Sequence, residues 1–106
     1  MTNRPATKRR APPGHLSADA AALWRRLYRT YAIDLEASIL LLTALAESWD
    51  RARSCREALK GQGLTITDKH GGVKMHPLIV EERQSREQVT RIARVLRIHV
   101  EGTDAS

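Results

Sequence analysis

Apolar residues recur along this chain with the 3.6-residue period of helices in three stretches, and switch to alternation in one. The first stretch follows Ser17, a residue type that caps helix N-termini, with Asp19 where a carboxylate suits the helix dipole. Leu23, Trp24, Leu27, Tyr28 and Tyr31 then share one face, and Arg25, Arg26 and Arg29 fall on the other. The pattern predicts a short amphipathic helix with a basic outer side. A second helix is expected from Asp34, again a capping type, to Lys60, with Gly61 as the stop. It would span roughly 40 Å. Leu35, Leu42 and Trp49 repeat every seven residues, and Leu45, Ala52 and Leu59 form a companion row, the spacing of a coiled-coil seam. The run Ile39, Leu40, Leu41, Leu42 covers the whole circumference. A helix apolar all round is buried on all sides, so one face is expected to meet another subunit. Leu35, Ile39, Leu42, Leu45 and Trp49 are the candidate packing and assembly residues.

The period changes over residues 64–76. Thr65, Ile66 and Thr67 favour strands, Gly71 and Gly72 mark a turn, and Val73, Lys74 and Met75 resume an extended pattern, which predicts a β-hairpin. Pro77 fits the first turn of a third helix. Ile79, Val89, Ile92, Ala93 and Leu96 give that helix its apolar stripe, with Arg86, Arg91, Arg94 and Arg97 around it. The expected fold class is mainly α: three helices, one of them long and central, with a small β-hairpin before the last helix and a disordered basic N-terminal arm. The arm is residues 1–14, a single helical domain covers 15–100 with its hairpin at about 64–76, and 101–106 form a flexible tail.

Composition narrows the chemistry. The chain has 106 residues, too few for a doubly wound sheet or a barrel, and a formal net charge of +6 that suits a polyanionic partner. The charge is uneven. Residues 1–14 hold Arg4, Lys8, Arg9 and Arg10 with no acid, whereas 34–60 is slightly acidic. Arginine offers a planar fork that matches phosphate oxygens, and flexible basic arms enter minor grooves. Arg4, Lys8, Arg9, Arg10, Arg25, Arg26 and Arg29 are therefore the candidate DNA-phosphate contacts. Trp24, Tyr28 and Tyr31 could stack on bases, but their helical spacing assigns them to the core.

Candidate catalytic and metal chemistry is thin. There is no GxxxxGK[ST] phosphate loop, and His15, His70, His76, His99 and Cys55 show no CxxC, HExxH or HxxxH spacing. His70 and His76 could face each other across the hairpin, and Cys55 reads as a packing residue. Glu81 and Glu82 suit the dipole at the start of the third helix. A non-enzymatic protein without metal or cofactor is expected. The single Cys excludes an internal disulfide, the basic Pro-containing start is unlike a signal peptide, and no apolar run approaches a membrane span.

The ordered set of pieces resembles the phage terminase small subunits. The matching segments are "APPGHLSADAAALWRRL" (11–27), "YAIDLEASILLLTALAESWDRA" (31–52), "LKGQGLTIT" (59–67) and "GGVKMHPLIVEER" (71–83), with His76-Pro77 after the hairpin the most specific. The chain then departs, with "RVLRIHVEGTDAS" in place of a Leu-Gly-Leu-like close and a Pro/Ser tail. The resemblance implies a non-catalytic, ring-forming factor that binds viral double-stranded DNA in the cytoplasm of a bacterial host. It would present that DNA to a large subunit carrying the ATPase and nuclease. The competing expectation is a small helix-turn-helix-type transcriptional regulator of prophage origin, whose recognition helix would present polar residues to a major groove.

Overall fold

A computed structural model describes residues 10–98, and three helices and one hairpin account for most of them. Helix α1 (Ala18–Thr30) starts where Ser17 caps it, its hydroxyl accepting from the Ala20 N–H at 3.1 Å. Helix α2 (Glu36–Gln62) has 27 residues and is the spine of the molecule. Strands β1 (Thr65–Thr67) and β2 (Val73–Met75) pair antiparallel, with Thr65 opposite Met75 and Thr67 opposite Val73. Helix α3 (Leu78–Leu96) returns along α2. The architecture is thus mainly helical, with a long central helix and the hairpin placed before the last helix. Among the described residues no helix is long and apolar enough to cross a membrane.

The core lies where α1 and α3 both press on α2. Leu42, Leu45 and Ala46 have no exposed surface, and Trp24 has 1%. Leu23, Leu27, Ile33, Ile39, Val89, Ile92, Ala93 and Ile98 complete the cluster. Burying side chains of Leu or Ile size contributes roughly 1.5–3 kcal/mol each. The Trp24 indole donates to Thr43 Oγ1 at 3.1 Å, and its ring stacks on Tyr28 with centroids 5.0 Å apart. Both aromatics are thereby occupied inside the chain.

The boundaries and burial of α2 differ from expectation. Asp34 is not its cap; Leu35 holds that position in extended conformation without a side-chain bond, and Glu36 opens the helix. Gly61 lies inside the last turn, and Gly63, at φ 85°, is the residue that ends it. Nor is the helix buried all round. Leu40 is 65% exposed and Leu35 is 68% exposed. Leu40 sits roughly 160° around the helix from Leu42, on the side that neither neighbour covers. Leu35 therefore leaves the packing set, Trp49 is half-buried, and Ile39, Leu42 and Leu45 are spent within this one chain.

Helices α1 and α3 end in the same way. The Ile33 N–H donates to the Tyr28 carbonyl at 3.2 Å and the Ala32 N–H to Arg29 at 3.4 Å; the Ile98 N–H donates to Ala93 at 3.0 Å and the Arg97 N–H to Arg94 at 3.1 Å. Each is a Schellman closure, with a residue at positive φ followed by a buried isoleucine that joins the core. The left-handed positions hold Ala32 (φ 48°) and Arg97 (φ 59°) instead of glycine, a strain of roughly 1 kcal/mol each.

At the other end, His76 fastens the hairpin. Its backbone N–H donates to the Leu64 carbonyl, its Nε2 meets Gln62 Oε1 at 2.7 Å, and its Nδ1 accepts from the Leu78 N–H at 3.1 Å. The ring thus caps α3, while Pro77 sits just before the helix and not within its first turn. In the turn, Asp68 Oδ1 accepts from the N–H groups of His70 and Gly72, and a Cβ on Gly72 would lie 2.9 Å from that carboxylate. The hairpin is otherwise open: Leu64, Val73 and Met75 are all more than half exposed.

Glu82 joins α2 to α3. Its buried carboxylate accepts from Arg56 at 2.9 Å and from Arg86 at 3.1 and 3.2 Å. Arg86 above all, then Arg56, hold its pKa below the ordinary range against the opposing effect of burial.

Ala32→Gly relieves the left-handed strain and raises stability by about 1 kcal/mol, which thermal denaturation reads as a higher midpoint. The folded state resists protonating Glu82 while the unfolded state accepts the proton near its ordinary value of about 4.3. Stability from this group is therefore full above that pH and is lost as pH falls through the lower folded value. Glu82→Gln should cost about 1.5–3 kcal/mol at neutral pH and flatten the acid limb of the midpoint–pH curve.

Candidate nucleic-acid interface

The order of the helices decides where the basic residues gather. The connection from α1 to α2 is only residues 31–35, so the two run antiparallel. Ser17 at the start of α1 accordingly bonds to Asp50, and Trp24 to Thr43. Helix α3 starts beside the end of α2, where Arg56 meets Glu82, and runs back until Ile98 joins the cluster with Ile39 and Ile33. The C-terminal ends of α1 and α3 thus lie together, at the N-terminal end of α2.

On α1, Arg25, Arg26 and Arg29 are exposed and point away from the Leu23, Trp24 and Leu27 face. None is paired with a carboxylate among the described residues. The same end of the bundle carries Arg91, Arg94 and Arg97 of α3, also exposed. Sequence reasoning noticed that second set only as decoration; setting it at the same end as the first depends on the tertiary course of the chain.

The arm is divided. Arg4, Lys8 and Arg9 lie outside the described residues, as do His99 and the tail 101–106. Arg10 is described and bonds to Glu36 Oε1 at 2.8 Å, so its charge is locally matched. Residues 10–17 continue along α2 as a strap. His15 Nε2 meets Glu47 Oε2 at 2.6 Å, and Ser17 donates its N–H and its hydroxyl to the two oxygens of Asp50 at 2.8 and 2.5 Å. The expected arm of 1–14 therefore gives way, from Arg10 on, to chain held against α2. The acidic positions 36, 47 and 50 of α2 were the sequence signal for it, because their spacing puts them on one side of the helix.

The remaining chemistry-bearing residues are engaged in structure. His70 is in the hairpin turn and His76 is buried at its base, so they do not face one another as a pair. Among the described residues no three of His, Cys, Asp and Glu come together as metal ligands. Cys55 is buried on α2, and that burial, more than nearby Glu81, pushes its thiol pKa up. Arg51 is bonded to Glu81, and Arg53 to Asp19 while lying over the Trp49 ring at 5.5 Å. An open groove of about 810 Å³ runs between the strap and α2, lined by His15, Ser17, Glu47, Asp50 and Ser54 among others. Its carboxylates at 47 and 50 already serve His15 and Ser17.

The basic end can therefore offer exposed guanidinium forks from two helices, an arrangement suited to phosphate oxygens. Comparison with known proteins adds no name: no family model, curated protein or solved structure matches the chain.

Proposed function

We propose that this chain is a phage terminase small subunit: a non-catalytic, DNA-binding, oligomeric factor that engages viral double-stranded DNA and hands it to a large subunit carrying the ATPase and nuclease. The observation that carries the nucleic-acid half is the row of exposed α1 arginines, Arg25, Arg26 and Arg29, without carboxylate partners among the described residues. Cationic side chains held outward on a rigid helix supply the sequence-independent part of DNA affinity. Arg4, Lys8 and Arg9, preceding the strap, would add contacts from the arm.

The family half rests on the ordered resemblance of residues 11–100, roughly, to terminase small subunits. Assembly is supported by the exposed apolar side chains of Leu35, Leu40, Leu64, Val73, Met75 and Val95. The regulator reading draws less support. A recognition helix needs a free polar face, whereas α2 is flanked by α1 and α3 and crossed by the strap.

Titration of duplex DNA across a salt series tests the α1 assignment. Arg25→Ala, Arg26→Ala and Arg29→Ala together should reduce the slope of log affinity against log salt by roughly 2–3. A folded variant with the parent slope would remove α1 from the interface. Native mass measurement tests assembly: a closed ring of many copies is expected, and a strict monomer at working concentration contradicts the reading.

A further inference from the structure

We infer that Arg91 and Arg94, in the last two turns of α3, and Arg97, which closes it, form a second phosphate-binding surface that works with the α1 arginines to hold duplex DNA across one end of the bundle. The inference rests on the nucleic-acid reading above and extends it to a helix that reading did not use.

Three observations carry it. The first is how the arginines divide. Toward the middle and the hairpin end Arg51 is matched with Glu81, Arg53 with Asp19, and Arg56 and Arg86 with Glu82; exposed Arg83 is the exception among the described residues there. At the opposite end Arg91 donates only to the neutral Gln88 side chain, at 2.6 Å, and neither Arg94 nor Arg97 has a carboxylate partner among the described residues. The acids near this end are Asp34, Glu36 (engaged by Arg10) and Glu87 one turn earlier on α3; Glu101 and Asp104 lie outside the described residues.

The second observation is placement. Arg91 and Arg94 are three residues apart and share a helix face. The parallel course of α1 and α3 sets them at the end already marked by Arg29. The third is conformation. Arg97 occupies the left-handed closing position of α3, at φ 59°, where glycine or asparagine is the unstrained choice. A long, exposed cation stands there instead.

The spacing favours a duplex over a small anion. Helices packed on a common neighbour at 8–10 Å each stand up to ~20 Å apart. One phosphate cannot bridge two such sets, but the phosphate rows on either side of a groove ~12 Å wide can.

The test uses the full chain and a fluorescent duplex, titrated between 50 and 200 mM salt. The variant combines Arg91→Gln, Arg94→Gln and Arg97→Asn, the last chosen because asparagine tolerates the left-handed backbone. Its salt slope should fall by roughly 2–3, so that the affinity ratio of parent to variant shrinks by roughly 40-fold from the low-salt to the high-salt limit. Replacing the same three residues by lysine should keep most of the slope. Circular dichroism checks the fold, and Arg94→Gln alone, at an exposed position, should lower the slope by about 0.9 if the triple variant does not fold. A folded α3 variant with the parent slope, beside an α1 variant that loses slope, overturns this inference and leaves the proposed function standing. A parent protein that shows no salt-dependent duplex binding overturns both.

Discussion

Leu42 and Leu45 must be kept from water, and one helix cannot do it. They lie three residues apart on one face of α2, in a cluster to which both α1 and α3 contribute. That requirement, with the short connection at 31–35, orders the rest of the molecule. A short link makes α1 antiparallel to α2, and the hairpin at the far end of α2 sends α3 back the same way. Two helices antiparallel to a common third are parallel to one another. Their C-termini therefore meet at one end of the spine, and so do the arginines that each carries in its final turns.

The closure of that end is built from the same apolar logic. Ile33 and Ile98 are the first residues after their helices' left-handed turns, and both are buried in the cluster that holds Ile39. Each isoleucine anchors a chain that has just reversed direction, which is what makes a positive φ tolerable at Ala32 and Arg97. At the hairpin end the fastening is polar instead, through His76 with Gln62 and Leu78, and leaves the strands in solvent. The strap adds a third fastening along the flank, from Glu36 to Asp50.

Much of this was legible in residue order, for reasons that are local. Ser17 as a cap, the Leu23–Trp24–Leu27 face, the strand pair around Gly71 and Gly72, and the stripe through Val89, Ile92 and Ala93 all depend on neighbours a turn or two away. The misses are non-local or concern helix ends. Leu35 and Leu40 belong to an apolar run, but which members are covered depends on where α1 and α3 land. Asp34 looked like a cap because its side chain is of the right type, yet the chain enters α2 one residue later. Ala32 and Arg97 gave no glycine signal for the stops they form. The α3 arginines stood apart from those of α1 because some sixty residues separate them in sequence; only the parallel arrangement joins them.

The simplest alternative reason for cations at this end is the helix dipole. Two helix C-termini present partial negative charges of roughly half a unit each, and Arg29 and Arg94 lie in the last turns where such charge is felt. That effect fades within one turn and needs no more than one cation per helix. Arg25 and Arg26 are further back on α1, Arg91 is further back on α3, and all three are exposed. The described carboxylates near this end are Asp34, Glu36 and Glu87, and Glu36 is taken by Arg10. The positive charge here exceeds what the fold's own dipoles and acids can neutralise. Exposed arginines in such excess repel one another and are stabilised by an external polyanion, whose binding then weakens as salt screens it.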